Sequence, residues 1–397
     1  MYLFRGKIEK DTEIWTVWDN GEDCCNMENK LKFTKQNTLA VKGIAVIFLL
    51  CYHCFSNEAR LYGHTVDFWP LSQDMAMMIS RCMVHCVGLF AFLSVYGLTL
   101  SMKKQYEQFQ FTAHEATLFV FKRYVNLVLL FFLPFCFCAG ITLITGTSRY
   151  GGGIFWANIF SAIMDIFCLG HLFGTQTMVA TWWYLSLEVL LIVFLPLAVK
   201  LYKKYGWLIV VMVLLPGSFL LEKHVHLTKY FFVVPLAVCF ADGQVLERLK
   251  GFSIVKNQAL NKLLKFIITT FLLICMFLLY DSSWGIQRFE FALNGLIPVT
   301  LIYWAYEFFI ELPVIRQILE FLGKRSSDIF YTHTFVRALW LTDVTYSFKH
   351  AFSIWLFLLA VSIGISFVLD GLRKLLHYRQ ITGRVSEWLV CWADRTL

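Results

Sequence analysis

Charge is what this chain has least of. Only 16% of its 397 residues are Asp, Glu, Lys or Arg, against about 25% in ordinary soluble chains. Apolar residues reach 58%, above the roughly 45–50% of globular proteins, and the mean hydropathy is +0.62. A soluble protein of this length cannot hide so much apolar surface, so the expected solvent is lipid. That excludes a disordered chain, a secreted disulfide scaffold and a nucleic-acid-binding module. No internal repeat, low-complexity tract or second domain is visible. Residues 1–38 are polar and charged, so no cleavable signal peptide is expected. Also missing is the alternation over about ten residues that marks a membrane β-barrel.

What is there instead is a set of long uncharged runs. Cys82–Met102, Tyr124–Ser148 and Ala351–Leu369 contain no Asp, Glu, Lys or Arg, and each is near the roughly 20 residues that cross a bilayer core as a helix. The expected fold class is an all-α, polytopic membrane protein with about ten transmembrane helices. They fall near 39–56, 80–101, 122–145, 183–201, 206–221, 230–247, 263–281, 289–311, 326–345 and 351–374. The segment 154–170 is apolar but interrupted by Asn158 and Asp165, and reads as re-entrant or interfacial. The expected organisation is a cytoplasmic lead-in (1–35), a membrane domain (36–375) and a cytoplasmic tail (376–397).

The basic residues supply an orientation. With the N-terminus inside, all of the 35 Lys and Arg fall in inner segments except Arg60, Arg81, Arg149, Lys223, Lys229, Arg288, Arg337 and Lys349. That bias follows the positive-inside rule, so both termini are expected to be cytoplasmic. The net charge of +8 then reports topology and contact with the inner leaflet. Most of the cysteines lie inside spans, where they act as small hydrophobes. Cys82, His85 and Cys86 lack the partners of a closed zinc site, so no metal is expected.

An ionisable residue inside a span is costly and therefore a functional candidate. His53 stands in the first span, eleven residues after Lys42, about 16 Å farther along the axis. The cation is thus expected at the inner boundary and the imidazole beyond mid-membrane. Glu188 enters the fourth span from the outer side, behind Trp182, Trp183 and Tyr184, which look like an aromatic belt anchor. Arg81 and His85, and likewise His333 and Arg337, are spaced i, i+4, so each pair is expected to share a helix face and to line a cavity. Each of these also has a structural reading, as a packing histidine or a paired carboxylate. Lys103, Lys104, Lys122 and Arg123 double as topology signals. The constellation suits either a transporter or an enzyme that takes an anionic donor from the cytoplasm and modifies something outside.

At these residues the chain resembles the acyltransferase family 3 integral membrane proteins, bacterial enzymes that O-acylate cell-surface glycans. Lys42 and His53 reproduce the family's basic residue, ten-residue gap and histidine, with lysine where arginine is usual. VGLFAFLSVYGLTLS (87–101) is similar to its second span, with Val95 in place of glycine. FVFKRYVNL (119–127) is similar to the basic entry of the third, Asn126 standing where a further arginine is common. Trp183–Glu188 matches W-x-L-x-x-E, and LGKRSSDIFYTHTF (322–335) is similar to a late segment with His333 at the histidine position.

The resemblance implies an acyl-CoA donor, most simply acetyl-CoA, and a hydroxyl acceptor on an envelope glycan or lipid-linked sugar, in the bacterial cytoplasmic membrane. His53 would be the general base, an acyl-histidine intermediate being the competing mechanism, with Glu188 orienting it or binding sugar. Lys42, Lys122 and Arg123 would hold the nucleotide phosphates by charge-assisted hydrogen bonds. His333, Arg337, Arg81 and His85 would face the acceptor. The competing classes are a transporter of a glycan or small acid, whose paired hydropathy repeats are not found, and a degenerate, sensor-like membrane domain.

Overall fold

A computed structural model describes residues 32–147, 150, 155–220 and 227–396; Arg149 and Lys223, and the lead-in before residue 32, lie outside these. Apolar runs become helices where a side-chain oxygen is ready to cap the first turn. Thr34 accepts from Asn37 N to open α1 (Lys35–Phe55), and Ser72 accepts from Met75 N to open α2 (Gln73–Cys82). After a 3₁₀ turn, α3 covers Cys86–Gln105. Thr112 and Glu115 form a reciprocal capping box at the start of α4 (Ala113–Ile144). The short α5 (Phe155–Ile166), α6 (Trp183–Tyr205) and α7 (Leu208–Leu220) follow. Then come α8 (Val233–Gly243), α9 (Val245–Gly251), α10 (Gln258–Asp281) and α11 (Ser283–Trp304). The chain ends with α12 (Pro313–Lys324), α13 (Ser326–Phe335), α14 (Thr342–Ser347), α15 (Ala351–Leu375) and α16 (Tyr378–Thr396). Among the described residues the only pairing of β type is an isolated bridge, Asp67 to His350.

Among the described residues six helices are long and apolar enough to cross a membrane: α1, the α2–α3 pair, α4, the stretch Ala180–Tyr205, α10 and α15. The protein is a multi-pass membrane protein. The other expected spans take different forms. That at 230–247 is broken, α8 and α9 bending by 61° around Gln244, whose φ of 50° places it in the left-handed region. That at 206–221 is represented by the 13-residue α7. The segment at 289–311 runs from α11 into a π turn, Ala305–Phe309, and carries Glu290, Glu307 and Glu311, which lower its hydropathy. The segment at 326–345 is interrupted by a second π turn, Val336–Trp340, between α13 and α14. Residues 154–170 form α5, whose Phe155, Trp156 and Phe160 are exposed.

The first helix is held by backbone proximity. A Cβ on Gly43 would lie 2.2 Å from the Leu319 carbonyl oxygen, and one on Gly323 would lie 1.9 Å from that of Leu39. The two glycines therefore let α1 and α12 cross with their backbones in contact, and they anchor the helix that carries His53. α1 also packs against α3, α13 and α15.

Ion pairs and hydrogen bonds link both ends of the described chain to one pole of the bundle. Phe33 N donates to Glu247 at 3.0 Å, Lys103 pairs with Asp242 at 2.7 Å, and His114 contacts Asp394 at 2.9 Å. After α15, α16 packs along α4, and the Tyr378 hydroxyl donates to Leu129 O at 2.6 Å. The opposite pole holds the Arg81–Asp281 and Lys229–Glu290 pairs, the Asp67–His350 bridge and His53.

Candidate functional site

His53 occupies the last turn of α1, and its partner comes from the turn just beyond. Asn57 accepts from Arg60 N and starts a 3₁₀ turn, Glu58–Leu61, which folds Arg60 back over the helix end. One Arg60 nitrogen, Nη1, donates to His53 Nδ1 at 2.6 Å and to the His53 carbonyl at 3.3 Å. The guanidinium lies 4.8 Å from the Tyr52 ring centroid. A guanidinium has only donors, so Nδ1 must offer its lone pair, and the neutral ring carries its proton on Nε2.

His333 lies beside it, the ring centroids 4.9 Å apart and the planes inclined by 49°. Its tautomer is the opposite one. Nδ1 faces two carbonyls of its own helix, Ile329 O at 3.0 Å and Phe330 O at 2.9 Å, so it carries the proton. Nε2 then accepts from the Thr334 hydroxyl at 3.1 Å, which receives a hydrogen bond from Thr181 at 3.1 Å. His333 is fully enclosed, while His53 is half-buried.

Arg337 enters from the π turn that follows α13. π turns widen the helical register and often accompany functional sites. Arg337 is close enough to both rings and to Arg60 to act on them electrostatically. Its guanidinium lies 5.3 Å from the centroid of Tyr62, a residue held at a φ of 51°, a left-handed backbone that costs on the order of 1–3 kcal/mol outside glycine. The Tyr346 hydroxyl bridges the cluster, donating to Arg60 O at 2.7 Å and accepting from Arg337. Tyr62 is 43% exposed, so the cluster reaches the surface at this pole. His53, His333 and Arg337 are thus brought together. The sequence argument missed Arg60, counting it only among the outer basic residues; its one signal was a cation two helical turns beyond an intramembrane histidine.

The remaining expected residues lie elsewhere. The Glu188 carboxylate is not bonded to the imidazole: Oε2 accepts from Ser94 at 2.8 Å, and Oε1 accepts from Tyr184. Facing it is Lys42, buried and electrostatically coupled to it. Lys42 is therefore inside the bundle against a carboxylate, not open at the inner boundary. Trp182 and Tyr184 are not a belt either. Trp182 is 2% exposed with its indole N–H on Tyr331 O at 3.2 Å, and Trp183 stacks on Tyr230; the segment packs inward because α6 crosses the bundle centre.

Arg123 donates to the Ser101 hydroxyl at the end of α3 and lies over Phe119, with Lys122 half-buried beside it. Arg81 and His85 do not share a face, because the helix gives way to the 3₁₀ turn Met83–His85 between them. Arg81 turns outward to a two-bond pair with Asp281, at 2.7 and 3.1 Å. His85 is fully buried between Tyr280 and Phe277.

A family model of the acyltransferase domain, Acyl_transf_3, matches residues 40–371. The match runs from just before Lys42 to beyond Arg337 and takes in every residue of the cluster. No curated protein and no solved structure matches the chain.

Proposed function

From the premise that this chain belongs to acyltransferase family 3, we propose that it moves an acyl group, acetyl in the simplest case, from cytoplasmic acyl-CoA to a hydroxyl of an extracytoplasmic or lipid-linked glycan in the bacterial cytoplasmic membrane. The observation that carries this reading is the half-buried imidazole of His53, held by Arg60 and set beside His333 at the pole opposite the chain ends. About ten crossings with both ends cytoplasmic agree with the basic bias of the inner segments and with the shared pole of Phe33 and Asp394.

Coenzyme A phosphates do not enter hydrocarbon, so the nucleotide stays at the inner pole, where Lys122 and Arg123 hold it. The thin pantetheine arm carries the thioester toward His53. The acceptor hydroxyl arrives from the pole of Tyr62 and replaces Arg60 at the His53 Nδ1 lone pair. As the alcohol oxygen adds to the acyl carbon, Nδ1 takes its proton; as the C–S bond breaks, the proton passes to the leaving sulfur, which departs as the free thiol. Positioned proton transfer of this kind is worth about 10²–10⁴ in rate.

The test is mass analysis of surface glycans from cells carrying wild-type protein or His53→Ala. Loss of the acyl ester with normal membrane insertion is expected. Ester retained at the wild-type level would remove His53 from the chemistry. A transporter would instead leave glycan acylation unchanged in both strains, even when the whole protein is absent.

A further inference from the structure

Buried cations in this protein are answered by acids. Lys265 pairs with Glu307 at 3.2 Å, Arg373 forms a two-bond pair with Asp328 at 2.5 and 2.7 Å, and Lys42 faces Glu188. Arg337 departs from this pattern. It is 4% exposed, yet its electrostatic neighbours are Tyr346, Cys54 and Tyr62, none of them a carboxylate. Two of its nitrogens, Nε and Nη1, are buried without a hydrogen-bond partner among the described residues. A desolvated cation with unspent donors is expensive, and a fold keeps one where a negative charge arrives only transiently.

The neighbours indicate which charge that is. His53 and His333 adjoin the guanidinium, and both are neutral in the tautomers their hydrogen bonds impose. Nothing in the cluster compensates an anion except Arg60 and Arg337; Arg60 stays on the His53 carbonyl when the acceptor takes Nδ1, and of the two only Arg337 has buried donors without a partner among the described residues. We propose that Arg337 is a catalytic residue whose Nε–H and Nη1–H receive the oxyanion of the tetrahedral intermediate. This rests on the acyl-transfer reading. When the alcohol oxygen adds to the thioester carbon, the carbonyl π pair moves onto oxygen and is met by these two donors. When that pair returns to re-form C=O, the C–S bond breaks, and the thiolate takes the proton held by His53. The donors are in place before reaction, which is the arrangement that makes oxyanion stabilisation effective. They act on charge that exists only near the transition state, so they raise turnover without tightening donor binding.

The test uses native membrane vesicles containing the full-length protein and their own acceptor, supplied with radiolabelled acetyl-CoA, with label read in the glycan and lipid fractions. The melting temperature of the purified protein in detergent is measured alongside. Arg337→Met is expected to lower the maximal transfer rate by about 10²–10³, to leave the KM for acetyl-CoA within twofold and to leave the melting temperature unchanged or higher, since an unpaired buried cation has been removed. Arg337→Lys, which keeps charge and one donor direction, is expected to recover part of the rate. A rate within threefold of wild type in Arg337→Met overturns the assignment. So does a rate loss accompanied by a lowered melting temperature, the signature of a merely structural arginine. Wild-type vesicles that transfer no more label than His53→Ala vesicles overturn the acyl-transfer reading itself and this assignment with it.

Discussion

The contact between α1 and α12 can be broken by one methyl group. In Gly323→Ala the new Cβ would lie 1.9 Å from Leu39 O and 2.7 Å from Leu39 C. Both obstacles are backbone, so no rotamer change relieves them, and the helices must part by roughly 1 Å. Overpacking of this kind costs about 1–3 kcal/mol, and a rigid obstacle puts the cost near the upper end. The damage does not stop at stability. α1 carries His53 fourteen residues beyond Leu39, about 21 Å along the axis, and a displacement of about 1 Å at reacting groups costs on the order of 10² in rate. Gly323→Ala is therefore expected to melt earlier in detergent and to transfer label from acetyl-CoA about a hundredfold more slowly. Gly43→Ala, whose Cβ meets Leu319 O at 2.2 Å, is expected to do the same. Gly97→Ala is the control, since nothing lies within 4 Å of its added Cβ. If Gly323→Ala melts and turns over like wild type, backbone crossing at these glycines does not position His53.

Lys122→Ala with Arg123→Ala is expected to weaken coenzyme A binding by more than tenfold in calorimetry on the detergent-solubilised protein, and unchanged affinity would remove both residues from the donor site. Glu307→Gln, which strands the buried Lys265 ammonium (4% exposed), is expected to cost about 3–5 kcal/mol, whereas the double replacement Lys265→Met with Glu307→Leu should cost far less. Equal melting temperatures for the two variants would show that the pair contributes no charge compensation.

Hydropathy and spacing carried much of this protein. The uncharged runs Cys82–Met102, Tyr124–Ser148 and Ala351–Leu369 fall largely in α3, α4 and α15, because apolar residues in lipid have little choice but to satisfy their own backbone. His53, His333 and Arg337 were legible as intramembrane ionisable groups, and the fold brings them together. What was not legible depends on local geometry that no period encodes. The 3₁₀ turn after Cys82 separates Arg81 from His85, the π turns end α11 and α13 early, and the bend at Gln244 breaks a span. Arg60 escaped because its role comes from an Asn57-capped turn that folds it back onto α1. Glu188 was found, but its hydrogen bonds to Ser94 and Tyr184 were not, since a sequence gives a residue's depth and not its azimuth.

That azimuth changes how the charge of the interior is understood. Lys42 was expected to offer its ammonium to phosphate at the inner mouth, but it faces a carboxylate whose oxygens are further tied to Ser94 and Tyr184. Its positive charge is therefore compensated inside the bundle, and in the proposed function the holding of an anionic donor falls to Lys122 and Arg123, of which Arg123 donates to Ser101. Toward the opposite pole the balance reverses. Around His53 the charged groups are Arg60 and Arg337, with the surrounding hydroxyls of Tyr62 and Tyr346 in place of any carboxylate. In the proposed function, an interior whose charges are compensated and whose far end is positive would admit a neutral thioester arm and favour negative charge only where the acyl carbon meets the alcohol. Lysine in place of the usual arginine at position 42 fits this division, because a single ammonium against Glu188 needs no planar fork. An arginine there would present further donors to a carboxylate already satisfied by two hydroxyls.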